Sequence, residues 1–170
     1  AMAALLSSDF NQLDQLLFEV KNLGVCQVAN DNSNEQVVIS GSYKAVQEAV
    51  RIASDYSIRK SILLNVSAPF HCELMQPAKD RLKSELENKN FSNPTVPIIC
   101  NFNAKSEENP ELLKKNIINQ VTNKVRWRET MNFVIEKKVK QILELGSGKV
   151  LTGIAKRYSS EIDCYNIETK

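Results

Sequence analysis

Val66-Ser67-Ala68-Pro69-Phe70-His71-Cys72-Glu73-Leu74-Met75 is where the rhythm of the chain changes. Before it, short strands and helices follow one another closely; after it, they alternate through longer loops. It also carries the only histidine among 170 residues. Histidine is the side chain whose ordinary pKa lets it take and return protons near neutrality, which makes His71 the residue to suspect of acid–base chemistry. A strand–helix junction also suits a capping histidine or a hydrogen-bonded core one, and the stretch alone leaves both open.

Upstream of this junction, Ala1 to Leu6 reads as a strand that starts abruptly. Ser7-Ser8-Asp9 offers side-chain oxygens to the free amides of a first helical turn. Phe10, Leu13, Leu17 and Val20 follow at helical spacing, with Gly24 as the C-cap. Val25 to Ala29 is a strand, Asn30 to Asn34 a turn cluster, and Gln36 to Ser40 a second strand. Gly41-Ser42 precedes a helix burying Ala45, Val46, Ala49, Val50 and Ile52-Ala53, and Ser61 to Val66 is a fourth strand. The order β-α-β-β-α-β is the split βαβ, or ferredoxin-like, arrangement, and residues 1–66 make a plausible small subdomain. An RNA-binding module can share this order, but it needs aromatic residues for base stacking, and the two hairpin strands hold none.

Downstream, Leu74, Met75, Ala78, Leu82 and Leu86 mark a helix, with Pro77 near its start. Pro94 and Pro97 frame a loop into a strand at Ile98 to Phe102. Asn109-Pro110 is an N-cap with proline at the first helical position, opening a helix to about Gln120. Trp127, Met131 and Val134 predict a helix over 126–137. An apolar strand at Val139 to Leu145, the turn Gly146-Ser147-Gly148, a helix with Val150, Leu151, Ile154 and Ala155 on one side, and a strand at Cys164 to Ile167 complete the order. Alternation argues for a parallel α/β sheet, and three strands make a thin one, as if it were part of something larger.

Composition narrows the function classes. Apolar residues at 42% and charged residues at 25% are ordinary for a packed domain. A net charge of +2, with scattered lysines and arginines, gives no footprint for nucleic acid or an anionic membrane. No apolar run approaches the ~20 residues that span a bilayer. The four cysteines show no Cys-x-x-Cys, and with one histidine they offer neither zinc-site nor disulfide spacing, which fits reduced thiols in a cytoplasmic protein.

Two motifs fail on spacing. Gly146-Ser147-Gly148-Lys149 follows a strand and precedes a helix, as phosphate cradles do. A P-loop would need glycine at 143 and Ser or Thr at 150, where the chain has Leu143 and Val150; a dinucleotide fingerprint would need glycine at 151, which is Leu151. Cys72 beside His71 is a poor nucleophile–base pair, because helical neighbours point about 100° apart. No Gly-x-Ser-x-Gly elbow occurs in the chain, so the histidine has no serine partner here.

Several stretches, in order, resemble the malonyl-CoA:acyl carrier protein transacylases of bacterial fatty acid synthesis. They are Ala1-Met2-Ala3-Ala4, Asn30-Asp31-Asn32-Ser33 with Gln36 to Gly41, Val66 to His71, Pro94-Thr95-Val96-Pro97, Gln120 with Val125-Arg126-Trp127, and Leu143 to Gly153. The resemblance covers essentially the whole chain. It departs at Ser147, where the family usually has proline.

The resemblance implies the C-terminal portion of such an enzyme. Residues 1–66 would be its ferredoxin-like small subdomain, and residues 67–170 the C-terminal part of its large α/β-hydrolase-like subdomain. His71 would be the proton acceptor for a serine on a Gly-His-Ser-x-Gly elbow, and the backbone carbonyl of Gln120 would orient the imidazole. Phe70 matches a position associated with choosing malonyl over methylmalonyl groups, for which ring bulk is a sufficient reason. Malonyl-CoA, acyl carrier protein and an N-terminal part of the same enzyme would be the partners; no metal or cofactor is implied. The serine, the oxyanion-binding segment and the arginine for the malonyl carboxylate would all precede residue 1. The rival expectation is a non-enzymatic module that keeps the fold and docks acyl carrier protein.

Overall fold

The computed structural model describes residues 1–7 and 9–168. Ser8, one of the three residues expected to open the first helix, lies outside the described residues.

Strand β1 (Met2–Leu6) is the centre of the first half. It pairs antiparallel with β3 (Gln36–Gly41) on one side and with β4 (Lys60–Leu63) on the other, and β2 (Cys26–Ser33) pairs with β3, giving the order β2-β3-β1-β4. Successive side chains of a strand point to opposite faces. Ala3 and Leu5 therefore join Ile39 under α1 (Leu13–Glu19) and α2 (Tyr43–Ile52), with Leu16, Val20, Val46 and Ala49. Met2 and Ala4 meet Ala29 and Val38 on the other face. A strand buried on both faces must be apolar throughout, and Met-Ala-Ala-Leu-Leu is. Each fully buried leucine or isoleucine contributes roughly 1.5–3 kcal/mol.

Two local expectations for this half need correction. The first helix starts only at Leu13, because the polar residues before it turn on themselves: Asp9 Oδ1 accepts from the Asn11 amide and Ser7 Oγ from the Asp9 amide. Such local bonds compete with helix initiation. At the other end a 3-10 turn over Lys21–Leu23 intervenes before Gly24, whose φ of 126° suits glycine. Asn30 to Ser33, expected as turn, is strand instead, and only Asn34-Glu35 turns. The outer edge of β2 is occupied there by a distant segment: the Val125 amide donates to the Ala29 carbonyl (2.8 Å) and the Asp31 amide to the Val125 carbonyl (2.9 Å). Paired backbone groups keep these polar residues extended.

The second half contains α3 (Gln76–Glu87), a short hairpin of β5 (Ile98–Ile99) and β6 (Ser106–Glu107), α4 (Pro110–Gln120), α5 (Trp127–Glu136), and β7 (Gln141–Leu145), α6 (Val150–Tyr158) and β8 (Asp163–Ile167). β7 and β8 pair in parallel across α6. The expected three-stranded sheet is not formed by these residues: Ile98–Ile99 pairs antiparallel with Ser106–Glu107. A tight turn, in which the Asn103 and Ala104 amides both donate to the Cys100 carbonyl, brings the chain straight back on itself. α6 buries Thr152, Ile154 and Ala155, with Ala155 against Met131, Ile162 and Cys164. Val150, grouped by the sequence on one side of the helix with Ile154 and Ala155, is 70% exposed, and Leu145 is 75% exposed.

Candidate active site

The junction that opens the sequence argument becomes a tightly held loop. Cys72 is fully buried and its thiol donates to the Pro69 carbonyl (3.1 Å). The next amide, Glu73, donates to Gln27 Oε1 on β2 (2.9 Å), and the Met75 amide donates to the Cys72 carbonyl (3.0 Å). Between these anchors His71 has φ +62°, the left-handed region, which costs a residue other than glycine about 1–3 kcal/mol and persists only where its surroundings enforce it. Cys72 thus acts as an anchor with its sulfur committed to Pro69, not as a nucleophile for the ring beside it.

The partner of the ring comes from α4. Asn109 caps this helix as its sequence suggests, its Oδ1 accepting from the Glu111 and Leu112 amides (3.0 and 3.1 Å), with Pro110 in the first turn. The helix ends at Gln120, whose backbone carbonyl lies 3.0 Å from His71 Nδ1. A carbonyl oxygen only accepts, so in the neutral ring the proton sits on Nδ1 and the lone pair on Nε2. Gln120 Nε2 also approaches Nδ1, at 3.3 Å. With the proton on Nδ1 that approach is a contact between two donors, and the amide donates instead to the Asn123 carbonyl (2.7 Å). The ring is half-buried, and the adjacent Phe70 is 40% exposed. Gln120 also borders an apolar cleft of about 410 Å³ lined by Ile98, Phe102, Leu113 and Ile117 among others.

His71, Gln120 and Phe70 therefore lie together, with 49 positions between the first two. Arg126 and Arg128, which follow Gln120 in the chain, are committed elsewhere. Arg126 donates to the Phe102 carbonyl and to Glu129, and Arg128 to Asp31 and Asn34. Among the described residues no group of three or more His, Cys, Asp and Glu could hold a metal ion. No described helix is long and apolar enough to cross a membrane.

The structure also gives the physical reason the glycine turn is no phosphate cradle. The N-terminus of α6 is already filled by a carboxylate of the chain: Glu144 accepts from the Leu151 amide (3.0 Å) and the Thr152 amide (2.8 Å). Hydrogen bonds from Thr152, through its side chain first and then its backbone, hold the Glu144 carboxyl below its ordinary pKa. A side-chain anion takes the position a phosphate would need. Sequence reasoning missed this cap, as it missed Asn123 and the Asp31–Arg128 pair, since none has a spacing signature.

No protein-family model matches the chain. Individual proteins do. The chain is 36% identical over 157 residues to the malonyl CoA-acyl carrier protein transacylase of Escherichia coli (strain K12), covering 92% of this chain and 51% of that protein. It is 39% identical over 166 residues to the transacylase of the same name from Synechocystis sp., covering 98% of this chain and 55% of that protein. The crystal structure of an acyl-carrier-protein-S-malonyltransferase from Bartonella henselae superposes with a TM-score of 0.92 at 43% identity, over 99% of this chain and 54% of that one. A malonyl-transacylase solved in complex with its type II PKS acyl-carrier protein superposes with a TM-score of 0.90 at 35% identity, over the same shares. The chain is homologous to these proteins along nearly its whole length and spans about half of theirs.

Proposed function

We propose that this chain, a homologue of the malonyl CoA-acyl carrier protein transacylases, is the C-terminal part of such an enzyme and supplies the proton-handling side of its active site. On this reading residues 1–66 are a ferredoxin-like small subdomain and residues 67–170 the C-terminal part of an α/β-hydrolase-like large one. The observation that carries the proposal is the 3.0 Å approach of His71 Nδ1 to the Gln120 carbonyl. It leaves Nε2 as an acceptor on a ring whose orientation is fixed, which is what a serine hydroxyl needs of its base.

The reaction proceeds in two halves. A serine hydroxyl from a Gly-His-Ser-x-Gly segment, which this chain does not contain, attacks the thioester carbonyl of malonyl-CoA while His71 Nε2 takes its proton. The tetrahedral intermediate collapses, the carbon–sulfur bond breaks, and the proton passes from His71 to the departing coenzyme A thiolate. In the second half the phosphopantetheine thiol of acyl carrier protein gives its proton to His71 and attacks the acyl-serine. The serine oxygen leaves with that proton, and the malonyl thioester is formed on the carrier. Gln120 replaces the carboxylate of the serine–histidine–aspartate arrangement with a neutral carbonyl at a helix C-terminus. Its partial negative charge faces the ring on which positive charge develops. Phe70, beside the histidine, would narrow the space around C2 of the acyl group.

Reconstitution tests the proposal. This chain alone, with malonyl-CoA and acyl carrier protein, should show no transfer. Joined to the N-terminal half of a homologous transacylase it should transfer malonyl groups, and His71→Ala should lower that rate by roughly 10²–10⁴-fold, the contribution of a positioned general base. Turnover by the chain alone, or a joined enzyme indifferent to His71→Ala, would overturn it.

A further inference from the structure

We infer that Asn123 is a positioning residue for His71, fixing the Gln120 carbonyl against the imidazole. The inference rests on the reading of His71 and Gln120 given above and adds a residue to it.

The ring needs a fixed neighbour on both sides. On its own side the loop is locked by Cys72, Pro69 and Gln27. On the other side the acceptor belongs to the last residue of a helix, where carbonyls have lost their intrahelical partners and the backbone frays most easily. Beyond Gln120 the chain must leave the helix within a few residues, because Val125 is already paired to the edge of β2. Asn123 occupies the turn between these two points and engages it four times. Its Nδ2 donates to the Asn119 carbonyl (2.8 Å) and lies 3.2 Å from Thr122 Oγ1. Its own carbonyl accepts from Gln120 Nε2 (2.7 Å). Its amide donates to the Gln120 carbonyl (3.4 Å), the oxygen that also receives His71 Nδ1. The side chain thus clamps the turn from outside, and the closed turn holds both ends of Gln120. The Asn119 bond alone would make Asn123 an ordinary end-of-helix cap. The convergence of its amide and carbonyl on Gln120 is what connects that cap to the imidazole.

Because His71 is the only histidine, its ring nitrogens can be followed without assignment in ¹⁵N-histidine-labelled protein. The intact chain should show the Nδ1–H tautomer as the dominant neutral form. Asn123→Ala should shift the ring toward the Nε2–H form, and so should Asn123→Asp, which keeps the shape but loses the donor. Asn123→Ser should restore Nδ1–H, since a serine hydroxyl can donate to the carbonyl four residues back. Thr122→Val should leave the tautomer unchanged. A simple cap would lower thermal stability in Asn123→Ala with no change of tautomer, and that result, in a variant retaining the near-ultraviolet signal of Trp127, would overturn the proposal. An intact chain without Nδ1–H preference would overturn it together with the role given to Gln120, so the two failures are told apart.

Discussion

Asp31 on β2 and Arg128 on α5, 97 positions apart, are joined by two charge-assisted hydrogen bonds, from Nη2 at 2.8 Å and from Nε at 3.2 Å. The carboxylate is only 6% exposed, whereas the guanidinium is 43% exposed. Together with the Val125 bridge, the pair ties the edge of the first sheet to the segment that follows Gln120. The position of the imidazole acceptor therefore depends on contacts made in the first 35 residues.

Removing the arginine should cost more than removing both partners. Arg128→Met leaves a buried carboxylate without its donor, and a loss of roughly 1–3 kcal/mol is expected by urea denaturation. Asp31→Asn combined with Arg128→Met should recover part of that loss, because the buried charge is then gone. Equal midpoints for Arg128→Met and the unmodified chain would show that the pair contributes nothing.

Stability should fall in alkali through Tyr158. Its hydroxyl donates to the Asn32 carbonyl (3.1 Å), and its pKa is pushed from 10.0 up to about 12, by burial first and then by the Asp31 carboxylate, against an opposing effect of Arg128. The unfolded chain releases this proton at lower pH than the folded one. The stabilisation is therefore complete below pH 10 and is lost as pH rises toward 12. Cys26, raised from 9.0 to about 12 by burial and then by Cys72, adds a slope of the same sign. Melting temperatures between pH 9 and 12 should fall less steeply for Tyr158→Phe than for the unmodified chain. Parallel curves would remove Tyr158 from the account.

Gly41 should not tolerate even alanine. A Cβ there would overlap the backbone carbonyl of Val25, where β3 passes the start of β2, and backbone cannot swing aside as a side chain would. Gly41→Ala is expected to destabilise by about 1–3 kcal/mol or more, since strands must separate to admit the methyl group. A thermal melt within a degree of the unmodified chain would mean that the strand end yields freely.

Acyl selectivity should respond to Phe70. In an enzyme reconstituted with the N-terminal half, Phe70→Ala should raise kcat/KM for methylmalonyl-CoA relative to malonyl-CoA by ~10–200-fold, the discrimination one methyl group supports. An unchanged ratio, with both rates intact, would leave Phe70 as a loop residue with no part in acyl selection.

What could be read in the linear chain was what repeats or stands alone. Apolar spacing located α2 and α5, and the run Ala1 to Leu6 read as a strand, whose burial on both faces only the structure shows. His71 stood out by being the only one of its kind, and Asn109-Pro110 marked a helix start because capping is a contact between near neighbours. The first helix starts later than its cap-like residues suggest, because the Ser7 and Asp9 oxygens accept from the amides of Asp9 and Asn11 instead. Asn30 to Ser33 has the composition of a turn, but its backbone is held extended by the distant Val125.

The sequence by itself thus determined the element order, the candidate base and the failure of the phosphate-binding motifs, since each rests on periodicity, residue identity or fixed spacing. Tertiary structure alone decided that Asn30 to Ser33 would be strand, that Glu144 would fill the end of α6, and that the Gln120 carbonyl would meet His71 across 49 positions. Those outcomes depend on backbone groups finding partners far along the chain. A carbonyl oxygen has the same chemistry in every residue, so residue patterns cannot single out Gln120; the family resemblance names it, and only the fold brings it to the imidazole.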